Sequence, residues 1–336
     1  MEKDVLLGII MPTYNVEHYI VKTIKSVLEQ DSDDYNLSII DDCSTDNTVQ
    51  LIKETFNREI SKGKIKLIVL DSNSGPAVAR QVGLNTLSTP YVTFLDADDT
   101  YRTSHAISFM VKAIKEYGPD FIMYKYVTDH GKIKLKKKYV LPTDRVLSSR
   151  EAMIYKVNKP NPIWHYLWNK CYKTSVIKEY HINFHPELRM AEDVRFNDDF
   201  LVCAKNCLFV DKYLYTYNCC NYASVSHSKT GSVTKESLIN QWNFECQNYN
   251  RLISNTEVLG CLNECQQALK TNLCKCAINI IYNSKYTPWH IEIEQLIKQS
   301  DYYKDICLMY DALLCKFRLQ KKILKMKGRI KRWIFG

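Results

Sequence analysis

The sequence predicts an α/β protein built on a mostly parallel sheet with helices on both faces. Short apolar runs recur along the first hundred residues, amphipathic stretches separate them, and polar residues cluster just after each run. A strand covered on both faces reads as an unbroken apolar run. Strands that alternate with helices form a doubly covered parallel sheet.

The first run, residues 5–11, is Val-Leu-Leu-Gly-Ile-Ile-Met and ends at Pro12. Thr13-Tyr14-Asn15 follow, and then Tyr19, Ile20, Ile24, Val27 and Leu28 recur at helical spacing. The second strand is residues 37–40. Its polar turn, residues 41–48, ends in cap-forming side chains and opens a helix through Val49, Leu51, Ile52 and Phe56. A third strand, residues 65–70, leads through Ser74-Gly75-Pro76 to a helix over 77–87, and the fourth strand is residues 91–95. In an open parallel sheet, ligands bind beyond the carboxyl ends of the strands. Thr13, Tyr14, Asp41, Asp42, Gly75 to Arg80 and Asp96 to Asp99 are therefore expected to line one crevice.

The densest chemistry follows the fourth strand, where Asp96-Ala97-Asp98-Asp99 packs three carboxylates into four positions. Such charges repel unless a proton or a cation resolves them. Mg²⁺ or Mn²⁺ takes oxygen ligands and commonly shares its shell with substrate phosphates. Taken alone, the cluster equally suits an acidic turn at a strand end.

With its neighbours, the cluster resembles part of a known family. Ile10-Met11-Pro12-Thr13-Tyr14-Asn15, Ile40-Asp41-Asp42-Cys43-Ser44-Thr45-Asp46, Gly75-Pro76-Ala77-Val78-Ala79-Arg80 and Leu95-Asp96-Ala97-Asp98-Asp99 stand in the order found in family 2 glycosyltransferases of GT-A fold. The segments 167–173 and 191–197, and the string 227–234, resemble later landmarks of the same enzymes, including bacterial surface-polysaccharide glycosyltransferases. The likeness spans about the first 235 residues.

The resemblance implies transfer of a sugar from a UDP-sugar to a saccharide or lipid-linked saccharide, with inversion. Asp98 would hold Mn²⁺ or Mg²⁺ against the diphosphate, and Asp96, beside Ala97, would face the ribose. Pro12, Thr13 and Tyr14 would meet the nucleotide, Tyr14 by stacking. Asp42, or Asp41, would accept the uracil imide N–H. Arg80, after a Gly-containing turn near a helix start, would meet phosphate. Asp193 takes the position of the general base, although Glu192-Asp193 also suits a helix N-terminus. Asp99 and Glu192 are candidate supporting carboxylates. Trp168 and His165 are candidates to line the acceptor site, His165 equally suiting a satisfied core histidine. Direct transfer to a polyprenyl phosphate, and a non-catalytic nucleotide-sugar-binding membrane protein, are the competing readings.

Three positions depart from the family pattern: Cys43 and Ala191 stand where Gly is usual, and Gln81 where Asn is usual. The Gln-x-x-Arg-Trp signature of processive members is missing, which favours single-residue transfer.

The chain has 336 residues and 13 cysteines. The irregular Cys spacings frame neither disulfides nor zinc, and buried thiols are expected. Residues 1–235 are expected to form the catalytic domain, 236–310 a helical extension and 311–336 a basic amphipathic tail. No apolar run approaches a membrane span and no signal peptide opens the chain, so a cytoplasmic protein is expected. The net charge of +9 matches the nine Lys and Arg of residues 316–332, leaving the rest formally neutral. Leu319, Ile323, Met326, Ile330 and Trp333 recur at helical spacing among them. This pattern suits docking on an anionic membrane at the inner cell face, and apolar residues on one side argue against nucleic acid as the partner. Residues 132–138, Lys-Ile-Lys-Leu-Lys-Lys-Lys, read as a lysine-protected edge strand.

Overall fold

The structure is a computed structural model of the chain. It describes residues 5–129, 145–159, 161–186, 191–219, 234–285 and 287–306. The 132–138 run and the 311–336 tail lie outside the described residues, as does most of the 227–234 string. The chain divides into two compact units, Met1–Ser228 and Lys229–Gly336.

In the first unit, β1 (Leu7–Thr13), β2 (Tyr35–Asp41), β3 (Ile65–Val69) and β4 (Tyr91–Phe94) are mutually parallel in the order β3-β2-β1-β4. The helices that connect them are α1 (Ile20–Leu28), α2 (Thr48–Thr55) with α3 (Asn57–Ser61), and α4 (Pro76–Asn85). Contrary to the sequence reading, Pro12 does not end β1. Pairing with β4 stops at Ile10↔Phe94, so beyond it β1 has β2 as its one neighbour. Proline is tolerated at such an edge. Gly83 lets α4 lie tight on β1, since a Cβ there would meet Ile10 Cγ2 at 2.6 Å. That close approach outweighs the roughly 1 kcal/mol that a mid-helix glycine costs.

The sheet then changes character. After β5 (Thr100–Tyr101) and α5 (Ala106–Tyr117) come β6 (Phe121–Thr128), β7 (Arg145–Ser148), α6 (Ser149–Asn158), β8 (Lys170–Lys173), α7 (Thr174–Glu179), α8 (Glu192–Cys203) and β9 (Asn206–Tyr217). The path β4-β8-β6-β9-β5 extends the parallel half, with β7 on β9. Strand β8 is antiparallel to both neighbours, β9 pairs parallel with β6 and antiparallel with β5 and β7. The result is a mixed nine-stranded sheet. These later strands carry tyrosines, lysines and cysteines among their apolar residues, which hid them from a search for apolar runs. Cys171 and Cys207 are buried free thiols in β8 and β9.

The core on one face gathers Leu7, Ile9, Met11, Ile24, Leu37 and Ile39 under α1 and α5. Elsewhere Phe94, Phe121, Tyr172, Phe184, Phe196 and Phe200 pack ring to ring, Phe184 and Phe196 stacking at 4.4 Å. This cluster anchors α8, whose first turn carries Glu192 and Asp193, to the sheet beneath.

The second unit contains α9 (Lys235–Val258), α10 (Leu262–Ser284) and α11 (His290–Lys298). Thr234 caps α9 by accepting from Ser237 N. Trp242, Leu269, Leu273, Ile278, Ile293 and Ile297 are buried within the unit. No helix among the described residues is long and apolar enough to cross a membrane.

Candidate active site

A chain of hydrogen bonds joins the carboxyl ends of the parallel strands. Asp42 N donates to Thr13 O (2.8 Å), and the Asp42 carboxylate accepts from Ser74 N (2.8 Å) and Gly75 N (2.7 Å). Thus β1, β2 and the loop entering α4 meet at Asp42. Asp41 is buried and accepts from Ser44 N (2.8 Å) and Ser44 Oγ (2.5 Å), so it braces the β2–α2 turn. Asn15, itself left-handed at φ 48°, accepts from Thr45 N (2.8 Å). Tyr14, between these braced residues, is 44% exposed and presents its ring to solvent.

Arg80, on α4, reaches two acidic segments and is 9% exposed. Nη2 bonds Asp96 Oδ1 (3.2 Å) after β4, and Nη1 bonds Glu192 Oε1 (2.9 Å) at the start of α8. Its Nε is buried without a hydrogen-bond partner. Burial opposes the guanidinium charge, but Asp96, Glu192 and Asp193 outweigh it and raise the pKa further. One cation therefore ties the acidic turn to the helix of the expected base.

In the acidic turn, Asp96 and Asp98 are half-buried and Asp99 is buried. Asp99 accepts from Tyr215 Oη (2.7 Å) and Asn218 N (2.6 Å), and Asp96 N donates to Tyr215 Oη (3.2 Å). Burial, then the charges of Asp96 and Asp98, push the Asp99 carboxyl well above the usual range. Three carboxyl groups within four residues supply hard oxygen donors here. The donor set fits a divalent cation. Among the described residues no three His, Cys, Asp or Glu side chains enclose an ion. Such a cation would be held by Asp98 and completed by substrate oxygens, the usual habit of Mg²⁺. A cavity of about 160 Å³ beside Asp98 is lined by Tyr19, Lys22, Asp129, Thr216 and Asn218 among others. Sequence reasoning missed these residues. Tyr19 and Lys22 looked like ordinary helix positions, and Asp129 and Asn218 follow strands that the apolar pattern did not reveal.

Asp193 lies in the first turn of α8, with Oδ1 accepting from Val194 N (2.7 Å). Burial, then Glu192, raises its pKa from 3.8 to about 6, while Arg80 and Lys170 oppose the rise. Ala191, immediately before the helix, has φ 66°, and Cys43 in the β2–α2 turn has φ 63°. Both positions where Gly was expected are thus left-handed, the region that a Cβ disfavours. The third departure also has a structural use. Gln81 Oε1 accepts from Phe184 N (2.8 Å) and Nε2 reaches Asn183 Oδ1 (3.2 Å), pinning the segment that leads toward α8.

Trp168 is 4% exposed and forms the middle of an aromatic column rather than a wall open to solvent. It stacks on Tyr166 at 4.5 Å and on Tyr215 at 4.4 Å, with Tyr217 parallel at 5.6 Å. His165 is exposed. Enough protein surrounds its ring, with the Lys156 and Lys170 cations beside it, to push its pKa down to about 4. Lys170 is wholly buried in β8.

A mixed sheet with polar residues gathered at its parallel strand ends and an acidic turn after the fourth strand has the form of a GT-A glycosyltransferase. The family model for "Glycosyl transferase family 2" matches residues 8–179, and the chain belongs to that family. It is similar to poly(ribitol-phosphate) β-N-acetylglucosaminyltransferase TarP of Staphylococcus aureus, with 33% identity over 68% of this chain and 67% of TarP. It is 32% identical to TarS of the same species over 56% of this chain, but the match covers 31% of TarS. The chain spans less than a third of the length of the first curated relatives it matches. Among solved structures, TarS residues 1–349 in complex with UDP-GlcNAc superposes with a TM-score of 0.59 at 21% identity, over 92% of both chains. A mannosyltransferase of Pyrobaculum calidifontis in complex with GDP-Man and Mn²⁺ gives 0.52 at 12% identity, over 93% of this chain and 86% of that one.

Proposed function

We propose that this family 2 enzyme is a metal-dependent, inverting N-acetylglucosaminyl- or hexosyltransferase that uses a UDP-sugar in assembling a cell-surface polymer. The observation that carries the reading is the Asp96–Arg80–Glu192 bridge. It brings the acidic turn and a carboxylate of raised pKa, Asp193, into one crevice. The resemblance to TarS and TarP supports UDP-GlcNAc as donor and a saccharide, polyol-phosphate or lipid-linked chain as acceptor.

In this reading Pro12, Thr13 and Tyr14 meet the nucleoside, Tyr14 stacking on the base. Asp42, already holding Ser74 and Gly75, offers its remaining lone pairs to the uracil imide, while Asp41 keeps the adjoining turn in shape. Asp96 and Ala97 line the ribose side. Bound at Asp98, Mn²⁺ or Mg²⁺ supplies Lewis-acid neutralisation of the departing diphosphate. Arg80 adds positive charge near that group while fixing Glu192. Asp193 Oδ1 is occupied by Val194 N–H, which leaves Oδ2 to take the acceptor proton. The hydroxyl oxygen bonds to the anomeric carbon as the bond from that carbon to the UDP oxygen breaks. Attack opposite the leaving group inverts the centre. A base of pKa about 6 is ionised at neutral pH and still accepts a proton effectively. His165 meets the acceptor, and the tail of residues 311–336 docks on an anionic inner membrane face.

The test is UDP or GDP release from a panel of nucleotide sugars, with Mn²⁺ or with chelator. Metal-dependent release from a UDP-sugar, lost in Asp98→Ala and Asp193→Ala, is expected. Neither release nor binding of any donor would overturn the reading. An Asp193→Asn enzyme of undiminished rate would point to an acceptor already ionised, such as a polyprenyl phosphate. Co-sedimentation with anionic vesicles, lost when residues 311–336 are deleted, tests the docking.

A further inference from the structure

We propose that Asn197 is a positioning residue. It locks the loop bearing His165 to the turn bearing Asp193, so that acceptor contact and proton acceptance share one rigid frame. The inference rests on the glycosyltransferase reading of Asp193, and Asn197 itself touches neither substrate nor metal in it.

Asn197 lies one helical turn after Asp193 on α8 and is 3% exposed. Its Nδ2 donates to Asp193 O (2.7 Å) and to His165 O (2.7 Å), with Tyr166 O farther off at 3.3 Å. An amide nitrogen has two protons, and the two short bonds use both. Its Oδ1 accepts from Tyr172 Oη at 2.7 Å. Carbonyls on one side and a hydroxyl on the other leave the amide a single sensible orientation. The side chain is thus a three-way joint between α8, the loop before β8, and β8 itself.

The same loop is gripped from below. Lys170 Nζ donates to Ile163 O (2.9 Å), Tyr166 O and Asn169 Oδ1 (2.7 Å). Asn169 Nδ2 lies 3.3 Å from Ile163 O and Tyr124 O. Three carbonyls within residues 163–166 are therefore bound by buried side chains. Three acceptors match the three protons of an ammonium, which offsets part of the burial that lowers the Lys170 pKa. Buried polar groups satisfied this fully rigidify what they touch.

The His165 ring stands apart from this. It is exposed, and its nitrogens make no hydrogen bond among the described residues. A loop whose backbone is fixed at consecutive carbonyls while one side chain is left open has the form of a recognition element. The groups facing Asp193 are Glu192 on its own helix, Arg80 from α4, and Lys170 and Tyr172 from β8. Replacing the Asn197 amide leaves the charged groups Glu192, Arg80 and Lys170 in place and frees only the neutral Tyr172 hydroxyl, so an unmoved pH limb separates a positional effect from an electrostatic one.

The test uses the full chain with UDP-GlcNAc and saturating Mn²⁺, water serving as acceptor, and reads UDP release and hydrogen–deuterium exchange. Asn197→Leu keeps the branched shape of the side chain and removes the joint. Expected are a kcat at least tenfold lower, a KM for UDP-GlcNAc within twofold of wild type, and an acidic pH limb that stays near 6. Faster exchange should be confined to residues 161–168 and 191–197. Tyr172→Phe, which frees one side of the amide, should show the same pattern with about a threefold loss, and carries the test if Asn197→Leu does not fold. A kcat within twofold of wild type in the folded variants would overturn the proposal, as would an equal loss of donor affinity. Wild-type protein silent with every donor would instead overturn the glycosyltransferase reading, and the clamp's catalytic role with it.

Discussion

Replacing Glu192 by Gln isolates the electrostatics of the base. Glu192 is second only to burial in raising the Asp193 pKa from 3.8 to about 6. At that value Asp193 is about nine-tenths ionised at pH 7 and about one-tenth at pH 5, so UDP release should fall roughly tenfold between them. Neighbouring like charges in a partly solvated site repel by on the order of 1 kcal/mol. That is close to one pH unit, at about 1.4 kcal/mol per unit. The sign follows from charge: removing an adjacent anion favours the ionised base, and Arg80, released from Glu192, favours it further. The acidic limb of kcat should therefore move from about pH 6 to about pH 5 in Glu192→Gln. The plateau should drop only a few-fold, because a less basic carboxylate accepts a proton less readily. UDP release at saturating donor and Mn²⁺, from pH 4.5 to 8, measures both quantities. A limb that stays in place or moves upward would refute Asp193 as the titrating base.

Further outcomes follow from other parts of the site. Asp98→Ala should lower UDP release at least a hundredfold and abolish its response to Mn²⁺, with Tm changed little because Asp98 is half-exposed; retained metal dependence would place the ion elsewhere. Arg80→Gln strands Asp96 and Glu192 without their cation and should destabilise the fold by about 3 kcal/mol in urea unfolding. Ala191→Gly and Cys43→Gly should each raise stability by about 0.5–1 kcal/mol, since relief of a left-handed Cβ exceeds the entropy a glycine adds; a loss on substitution would contradict the φ angles.

The parallel half of the fold was legible because strands buried on both faces leave no polar residue to confuse the pattern, as in Ile9-Ile10-Met11 and Ile39-Ile40. The crevice was legible for a related reason. Thr13, Asp42 and Asp96 have no use inside such a sheet, so their place after apolar runs marks its ligand-binding edge. What stayed hidden depends on contacts between segments remote in sequence. Trp168 looked like an acceptor wall until its neighbours, Tyr166 and Tyr215, were seen to enclose it. Asn197 carried no motif signal of its own, although its four-residue spacing from Asp193 put both on one helix face. The departures at Cys43 and Ala191 were visible as residue types. Only backbone angles show that each is held where glycine would rest more easily.

The aromatic column has a mechanical consequence. Tyr215 is gripped at its hydroxyl by the acidic turn and on its ring by Trp168, whose other face bears on Tyr166. Tyr166 in turn belongs to the loop that displays His165. The two ends of the site are thus joined through a packed column, because rings stacked about 4.5 Å apart resist compression. A change in the packing of the loop would therefore reach Asp96 and Asp99 through the column. The position of the acidic turn is thus set in part by the loop that bears His165.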